Sequence, residues 1–174
     1  EMCIRDSYEA ESDRESADGR YLNALIGVLS RHAKKPFRYR VFVIEGEPNA
    51  CALPGGVIIV TRGLLEAMKS EGEIVAILSH EMGHIELSHC FDTVRFQLLS
   101  QKIGKRTMGQ PADFSMNVML RHSFSKSQEE EADRYAYNLV LQTDYTPSSV
   151  GDSFKSFLSY EMKAHKDTKR MKAN

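Results

Sequence analysis

Two histidines four residues apart enclose a glutamate near the middle of the chain. The segment is His80-Glu81-Met82-Gly83-His84, an H-E-x-x-H pattern. On a helix, side chains four residues apart lie one above the other, so both imidazoles can reach one Zn²⁺ at about 2.0–2.1 Å. Glu81 lies about 100° around the helix from His80 and can reach a metal-bound water without being a ligand. Random placement would give roughly 0.02 such motifs in this chain.

A catalytic zinc needs a third protein ligand, from the same helix or from another one. A histidine six residues after His84, as in metzincins, is excluded because position 90 is Cys90 and the expected glycine at position 87 is Leu87. The other source is the acidic run Glu129-Glu130-Glu131-Ala132-Asp133. Helical phase places the first glutamate of this run on the apolar face, which is formed by Ala132, Ala136, Leu139 and Val140.

A glutamate on a buried helical face needs a compensating partner, and zinc is sufficient. Glu129 is therefore predicted to be the third ligand. Glu130 and Glu131 fall on solvent-like faces of the first turn, where the helix dipole favours acidic residues. Asp133, one turn further on, is placed to accept a hydrogen bond from a ligand imidazole. His89 lies about 140° around the helix from His84, so we predict a structural role for it.

The apolar pattern predicts the elements that position these residues. Alternating β-branched and aromatic residues predict strands over 37–45, 49–53 and 57–61, with Pro54-Gly55-Gly56 as a hairpin turn. Gly104, Gly109 and Pro111 break the helical pattern and predict a crossover over 101–112. The predicted helices cover 21–29, 63–70, 73–100, 113–121, 127–142 and 147–164.

Composition narrows the class of protein. The 174 residues include 23 Lys and Arg against 24 Asp and Glu, which leaves no strong field for nucleic acid. The three cysteines, Cys3, Cys51 and Cys90, fit neither a disulfide framework nor a zinc knuckle. The longest aliphatic run, 74–78, is far shorter than the ~20 residues of a membrane helix, so we expect no membrane span.

The chain resembles the HtpX-like and CAAX-prenyl-protease-like zinc metallopeptidases of peptidase family M48. The resemblance implies an α+β zincin fold of the minigluzincin type, with a small antiparallel sheet packed on the active-site helix. It implies that His80, His84 and Glu129 bind one Zn²⁺ per chain, that Glu81 is the general base and that Asp133 orients a ligand. Four blocks in the same order carry the resemblance: 49–56, 61–65, 80–84 and 129–133.

The family often ends with a His-Pro pair and an arginine six residues after the histidine. Here the matching stretch is His165-Lys166-Asp167-Thr168-Lys169-Arg170, which lacks the proline and has the arginine one residue early. The resemblance implies that His165 lies near the metal, where it would stabilise an oxyanion or occupy the open metal position. An exposed histidine in the tail is the alternative.

The implied function is a zinc-dependent endopeptidase in which Glu81 takes a proton from a zinc-bound water and passes it to the leaving amine. An extended substrate would add to the strand formed by Asn49, Ala50, Cys51, Ala52 and Leu53. Main-chain pairing distinguishes few side chains, so the expected substrates are unfolded or damaged proteins. The alternative is a latent or catalytically silent zinc-bearing binding module, with the open position plugged by His165 or by the 101–112 crossover.

The resemblance also gives a domain plan and a location. We expect a disordered or artefactual N-terminus at 1–19, a single zinc metallopeptidase domain at 20–165 and a basic tail at 166–174. Membrane-embedded members carry spanning helices, and none occurs here between His84 and Glu129. The chain looks more like the soluble BepA-like and LoiP-like envelope proteases. The expected location is therefore the bacterial cell envelope, with any signal or anchor lost from this sequence.

Overall fold

The computed structural model describes residues 16–91 and 124–171. The predicted crossover at 101–112, the predicted helix at 113–121 and most of the predicted N-terminal segment lie outside these residues. The elements bounded within the described residues are α1 (Ala17–Leu29), a 3₁₀ turn (Ser30–His32), β1 (Arg40–Ile44), β2 (Ala50–Leu53), β3 (Val57–Thr61), α2 (Arg62–Ala67), α3 (Glu71–Glu86), α4 (Lys126–Val140) and α5 (Ser148–Met171). The domain boundaries predicted after residues 19 and 165 thus fall inside α1 and α5.

The three strands form one mixed sheet in the order β1-β3-β2. β2 and β3 are the predicted antiparallel hairpin, and Gly55 and Gly56 in its turn have φ values of 86° and 88°. β1, however, pairs with β3 in parallel. The expectation of an antiparallel sheet is therefore wrong for one of its two strand pairs, because β1 and β2 are consecutive in the chain but lie on opposite sides of β3.

Thr61 holds the connection that makes this topology possible. Residues 45–49 cross the end of β3, where the Thr61 hydroxyl donates to the Glu47 carbonyl oxygen and accepts from the Asn49 N–H at 2.8 Å. A Cβ on Gly63 would lie 2.5 Å from the Gly46 carbonyl oxygen, so only glycine fits there. The crossing is therefore fixed by the Thr61 hydroxyl and by the absence of a side chain at Gly63. Strand alternation predicts neither feature.

The outer edge of β1 is covered by a side chain of α1. The Asn23 amide donates to the Val41 carbonyl oxygen at 2.7 Å and accepts from the Val41 N–H at 3.0 Å. The same helix buries its apolar stripe of Leu22, Ile26 and Leu29 against the sheet. β2, at the other end of the sheet, forms one wall of the cleft described below.

Helix α3 runs through the core and ends earlier than the sequence predicts. Ser70 caps its start, and it stops at Glu86 rather than near residue 100. Ser88 then takes a φ of 68°, and residues 89–91 are helical again. Lys35 holds this break, because its amine donates to the Ile85 carbonyl oxygen and to the Ser88 hydroxyl at 3.0 and 2.6 Å. That lysine lies about fifty residues upstream, so no local signal marks the break.

The helix that follows the undescribed segment packs directly on α3. α4 begins with a capping box between Ser125 and Gln128. It crosses α3 at Gly83, where an added Cβ would lie 3.1 Å from both Cα and the carbonyl oxygen of Ala132. The absence of a side chain at Gly83 thus allows the two helices to pack closely. None of the helices in the described residues has the length and apolarity needed to cross a membrane.

Candidate metal centre and active site

The two motif histidines lie on the inner side of α3, and Glu129 reaches them from α4. His84 is 1% exposed and His80 is 17% exposed at the side chain. Their Nε2 atoms lie 3.0 Å apart. Glu129 Oε2 lies 3.3 Å from His80 Nε2 and 3.9 Å from His84 Nε2. The predicted ligand set is therefore brought together by the packing of α3 on α4.

These distances fit a zinc ion. A tetrahedral ion with bonds of about 2.0–2.1 Å holds its ligand atoms about 3.3–3.4 Å apart. The three measured separations scatter around that value. Two imidazole nitrogens and one carboxylate oxygen also form a donor set found in catalytic zinc sites. In the described part of the chain, His80, His84 and Glu129 form the group of three that could hold a metal ion.

The electrostatics of the two histidines differ in the metal-free protein. Burial lowers the pKa of His80, but hydrogen bonds to Asp133 and Glu129 outweigh it and raise that pKa to about 10. Burial, together with His80 and His89, lowers the pKa of His84 to about 3. The acidic partners thus favour positive charge at His80, on the side where a divalent cation would bind.

Glu81 lies beside this group and contacts β2. Its carboxyl group is buried, and burial raises its pKa to about 7, with Glu129 adding to the shift while His80 and a backbone hydrogen bond from Ala52 oppose it. A carboxyl with this pKa can both take up and release a proton near neutral pH. The structure thus places Glu81 next to the three metal-ligand candidates.

Asp133 lies where the sequence predicts. Its Oδ1 is 2.9 Å from His80 Nδ1, on the side of the ring opposite the metal-ligand candidates. A carboxylate on Nδ1 holds the proton there and leaves Nε2 free to bind a metal. The spacing of four residues between Glu129 and Asp133 lets one turn of α4 contact both nitrogens of a single imidazole.

Three residues of the site were not predicted from the sequence. His89 Nδ1 lies 3.0 Å from His84 Nδ1, and Glu131 Oε2 lies 3.2 Å from His89 Nε2. The ring of Phe124 stacks on His84, with centroids 3.8 Å apart. Glu131 lies on an exposed face of α4, as its helical phase predicts, with 47% of its side chain exposed. Its contact with His89 was not predicted, because the predicted uninterrupted α3 carries His89 away from His84.

A cleft of about 330 Å³ opens in front of these residues. α3 forms its floor, and Asn49, Ala50, Cys51 and Ala52 form one wall. The opposite wall is apolar and comes from α5 and from Phe124. Leu53, the fifth residue of the predicted substrate strand, does not line the cleft and packs on the other face of the sheet with Ile59. The His165 side chain lies outside what the structure describes, so its predicted position near the metal stays a prediction.

Comparison of the sequence with protein-family models identifies the family of this chain. The model of peptidase family M48 matches residues 16–173. The chain belongs to this family, which confirms the resemblance noted in the sequence.

Named relatives are metalloproteases from bacteria and mitochondria. Metalloprotease LoiP of Escherichia coli is 28% identical over 138 residues, covering 73% of this chain and 54% of LoiP. Metalloprotease YcaL of the same organism is 22% identical over 171 residues, covering 90% of this chain and 65% of YcaL. The mitochondrial metalloendopeptidase OMA1 of Schizosaccharomyces pombe is 32% identical over 130 residues, covering 71% of this chain and 39% of OMA1. The chain thus spans less than two thirds of each relative's length.

Proposed function

We propose that this protein is a zinc-dependent endopeptidase in which His80, His84 and Glu129 hold one Zn²⁺ and Glu81 is the general base. One observation carries the proposal: the three donor atoms converge beside the Glu81 carboxyl, at a cleft walled by an edge strand. Metal ligands, a proton acceptor and a surface that can pair with a peptide are together suited to metal-dependent peptide hydrolysis.

Each side chain has a separable task. A zinc ion held there would polarise the scissile carbonyl and acidify a water molecule. Glu81 would accept a proton from the attacking water and pass it to the departing amine, for which a pKa of about 7 is suited. The Ala52 N–H keeps the Glu81 carboxyl aimed across the cleft. Asp133 holds the proton on Nδ1 of His80.

The register of the hairpin favours an extended polypeptide as substrate. The Thr61 N–H donates to the Asn49 carbonyl oxygen at 3.0 Å, so these two form a hydrogen-bonded pair. Pairs alternate along an antiparallel ladder, so Ala50 and Ala52 direct their backbone groups away from β3. The Ala52 N–H already binds Glu81, so the outward groups that the proposal uses are the N–H and carbonyl of Ala50 and the carbonyl of Ala52. We propose that the substrate backbone pairs with this edge as an added strand.

Backbone pairing of this kind selects an extended conformation more than a sequence, which favours unfolded or damaged proteins as substrates. The location that we propose for them, the bacterial cell envelope, rests instead on the resemblance to the BepA-like and LoiP-like proteases. A native domain has most of its backbone groups already paired within its own structure. The proposal therefore predicts that denatured casein is cleaved and that compact, disulfide-bonded proteins are resistant.

The test measures bound zinc and casein hydrolysis on the purified wild type and on Glu81→Gln. Glu130→Gln is the matched control, because Glu130 is exposed on α4 and pairs only loosely with Lys126 at 3.8 Å. We expect one zinc in all three proteins and hydrolysis in the wild type and the control only. Zinc in all three with no hydrolysis in any would favour the latent binding module, and hydrolysis by Glu81→Gln would refute the base assignment.

A further inference from the structure

We propose that His89 and Glu131 are positioning residues that act in series on His84, fixing its orientation and its tautomer and thereby setting the metal affinity of the site. The proposal rests on the proposed function only in requiring that His84 bind the metal. Neither residue has a place in the H-E-x-x-H motif or in the pairing of Glu129 with Asp133.

The geometry forms one continuous path of hydrogen bonds. It runs from His84 Nδ1 to His89 Nδ1 at 3.0 Å, and from His89 Nε2 to Glu131 Oε2 at 3.2 Å. His84 and His89 are both buried, and the ring of Phe124 stacks on His84 and lies 6.1 Å from His89. Water is thus kept from the inner bond, while Glu131 reaches solvent with 47% of its side chain exposed.

Each ring nitrogen then has one possible role. His84 Nε2 faces His80 and Glu129, so it must offer its lone pair to the metal. The His84 proton therefore lies on Nδ1 and is donated to His89 Nδ1, which must accept it. His89 consequently carries its own proton on Nε2, where Glu131 accepts it. The carboxylate at the far end thus selects the tautomer of an imidazole that it does not touch.

The break after α3 is what creates this path. On a continuous helix His89 would lie about 140° away from His84. The turn at Ser88, with its φ of 68°, folds the chain back and brings the two rings to a centroid separation of 5.2 Å. The Lys35 amine bonds to both sides of that turn. Residues far from the motif therefore hold the orienting histidine in place.

The first experiment measures zinc affinity by competition with a chromophoric chelator. Outer partners of metal-bound histidines typically contribute about 10–100-fold to metal affinity. We expect His89→Leu to weaken zinc binding by that factor, Glu131→Gln to weaken it less, and His89→Gln to restore much of the loss because an amide both accepts and donates. Glu130→Gln, the exposed neighbour, should bind zinc like the wild type.

A double-mutant cycle separates a path in series from general damage. When His89 is already Leu, adding Glu131→Gln should weaken zinc binding no further. Independent, additive losses would overturn the proposal, as would zinc affinity within twofold of the wild type in both single variants. Urea unfolding of the metal-free proteins checks that each variant is folded, and Glu131→Gln, which changes only a half-exposed residue, keeps the test valid if His89→Leu does not fold.

The same measurements distinguish this proposal from the proposed function. A wild type that binds no zinc would refute the metal centre itself. A wild type that binds zinc, with His89 and Glu131 variants that bind it equally well, would refute the path alone.

Discussion

Replacing Gly83 with alanine should separate the two helices that supply the metal ligands. The new Cβ would lie 3.1 Å from Cα and the carbonyl oxygen of Ala132 and 3.2 Å from Cβ of Tyr135. Two of these three atoms are backbone, so no side-chain rotation relieves the contact. α4 must move away from α3 by a few tenths of an ångström to reach an ordinary separation.

The magnitude follows from that displacement. Overpacking of a well-packed contact costs about 1–3 kcal/mol. Alanine in place of glycine within a helix returns about 0.5–1 kcal/mol, so the net loss in free energy of unfolding is about 0–2.5 kcal/mol. Zinc–ligand distances vary by only about 0.2 Å, and Glu129 lies one turn before Ala132. Zinc affinity should therefore fall by about tenfold or more.

Gly27→Ala is the matched control, because Gly27 lies within α1 and an added Cβ there meets nothing within 4 Å. It should gain about 0.5–1 kcal/mol from helix propensity alone. Both variants gain the same helix propensity, so it cancels when their free energies of urea unfolding are compared without metal. The remaining difference should equal the overpacking cost at Gly83, about 1–3 kcal/mol. Equal stability of the two variants, with wild-type zinc affinity in Gly83→Ala, would refute the reasoning.

Three further predictions address the metal, the sheet and an outlying contact. A chelator should abolish casein hydrolysis and lower the melting temperature. Adding zinc at about 100 times its Kd should raise the free energy of unfolding by about 2.7 kcal/mol. A melting temperature that zinc does not change would contradict the metal site. Thr61→Val should cost about 1–3 kcal/mol and reduce hydrolysis, because the Asn49 N–H loses its acceptor, whereas Thr61→Ser should retain both properties. Burial and the hydrogen bond to Glu86 raise the pKa of Tyr39 in the folded protein. The contribution of Tyr39 to the free energy of unfolding is therefore complete below pH 10 and decreases as the pH rises above that value. Urea unfolding at pH 8–11 should therefore show Tyr39→Phe less stable than the wild type, by an amount that shrinks in alkali; a constant difference would contradict this.

Local patterns in the sequence predicted much of the site. The i, i+4 spacing placed both histidines on one face, and helical phase selected Glu129 from three adjacent glutamates because Ala132 and Ala136 mark the face that packs inward. Both inferences depend only on the period of a helix. The hairpin of β2 and β3 was predicted for a similar reason, since Pro54 and the two glycines specify its turn.

Features that depend on distant contacts were not predicted. The direction of β1 depends on how residues 45–49 cross Thr61, and strand alternation carries no information about partner direction. The end of α3 depends on Lys35, about fifty residues upstream, so helical periodicity alone extended the helix past Glu86. A continuous helix over 73–100 places His89 about 140° around the axis from His84. Its contacts with His84 and Glu131 therefore could not be predicted.

The asparagine on the edge of β1 has a consequence for how this protein behaves at high concentration. A sheet with two free edges can polymerise, because each added copy exposes a new edge for the next. Here the Asn23 amide occupies both backbone groups of Val41, so one end of the sheet is closed to pairing at that residue. A strand added at β2 therefore has no matching pairing site at Val41 from which the sheet could extend at its other edge. The capped edge thus limits self-association in a protein whose proposed substrates are themselves unfolded, aggregation-prone chains.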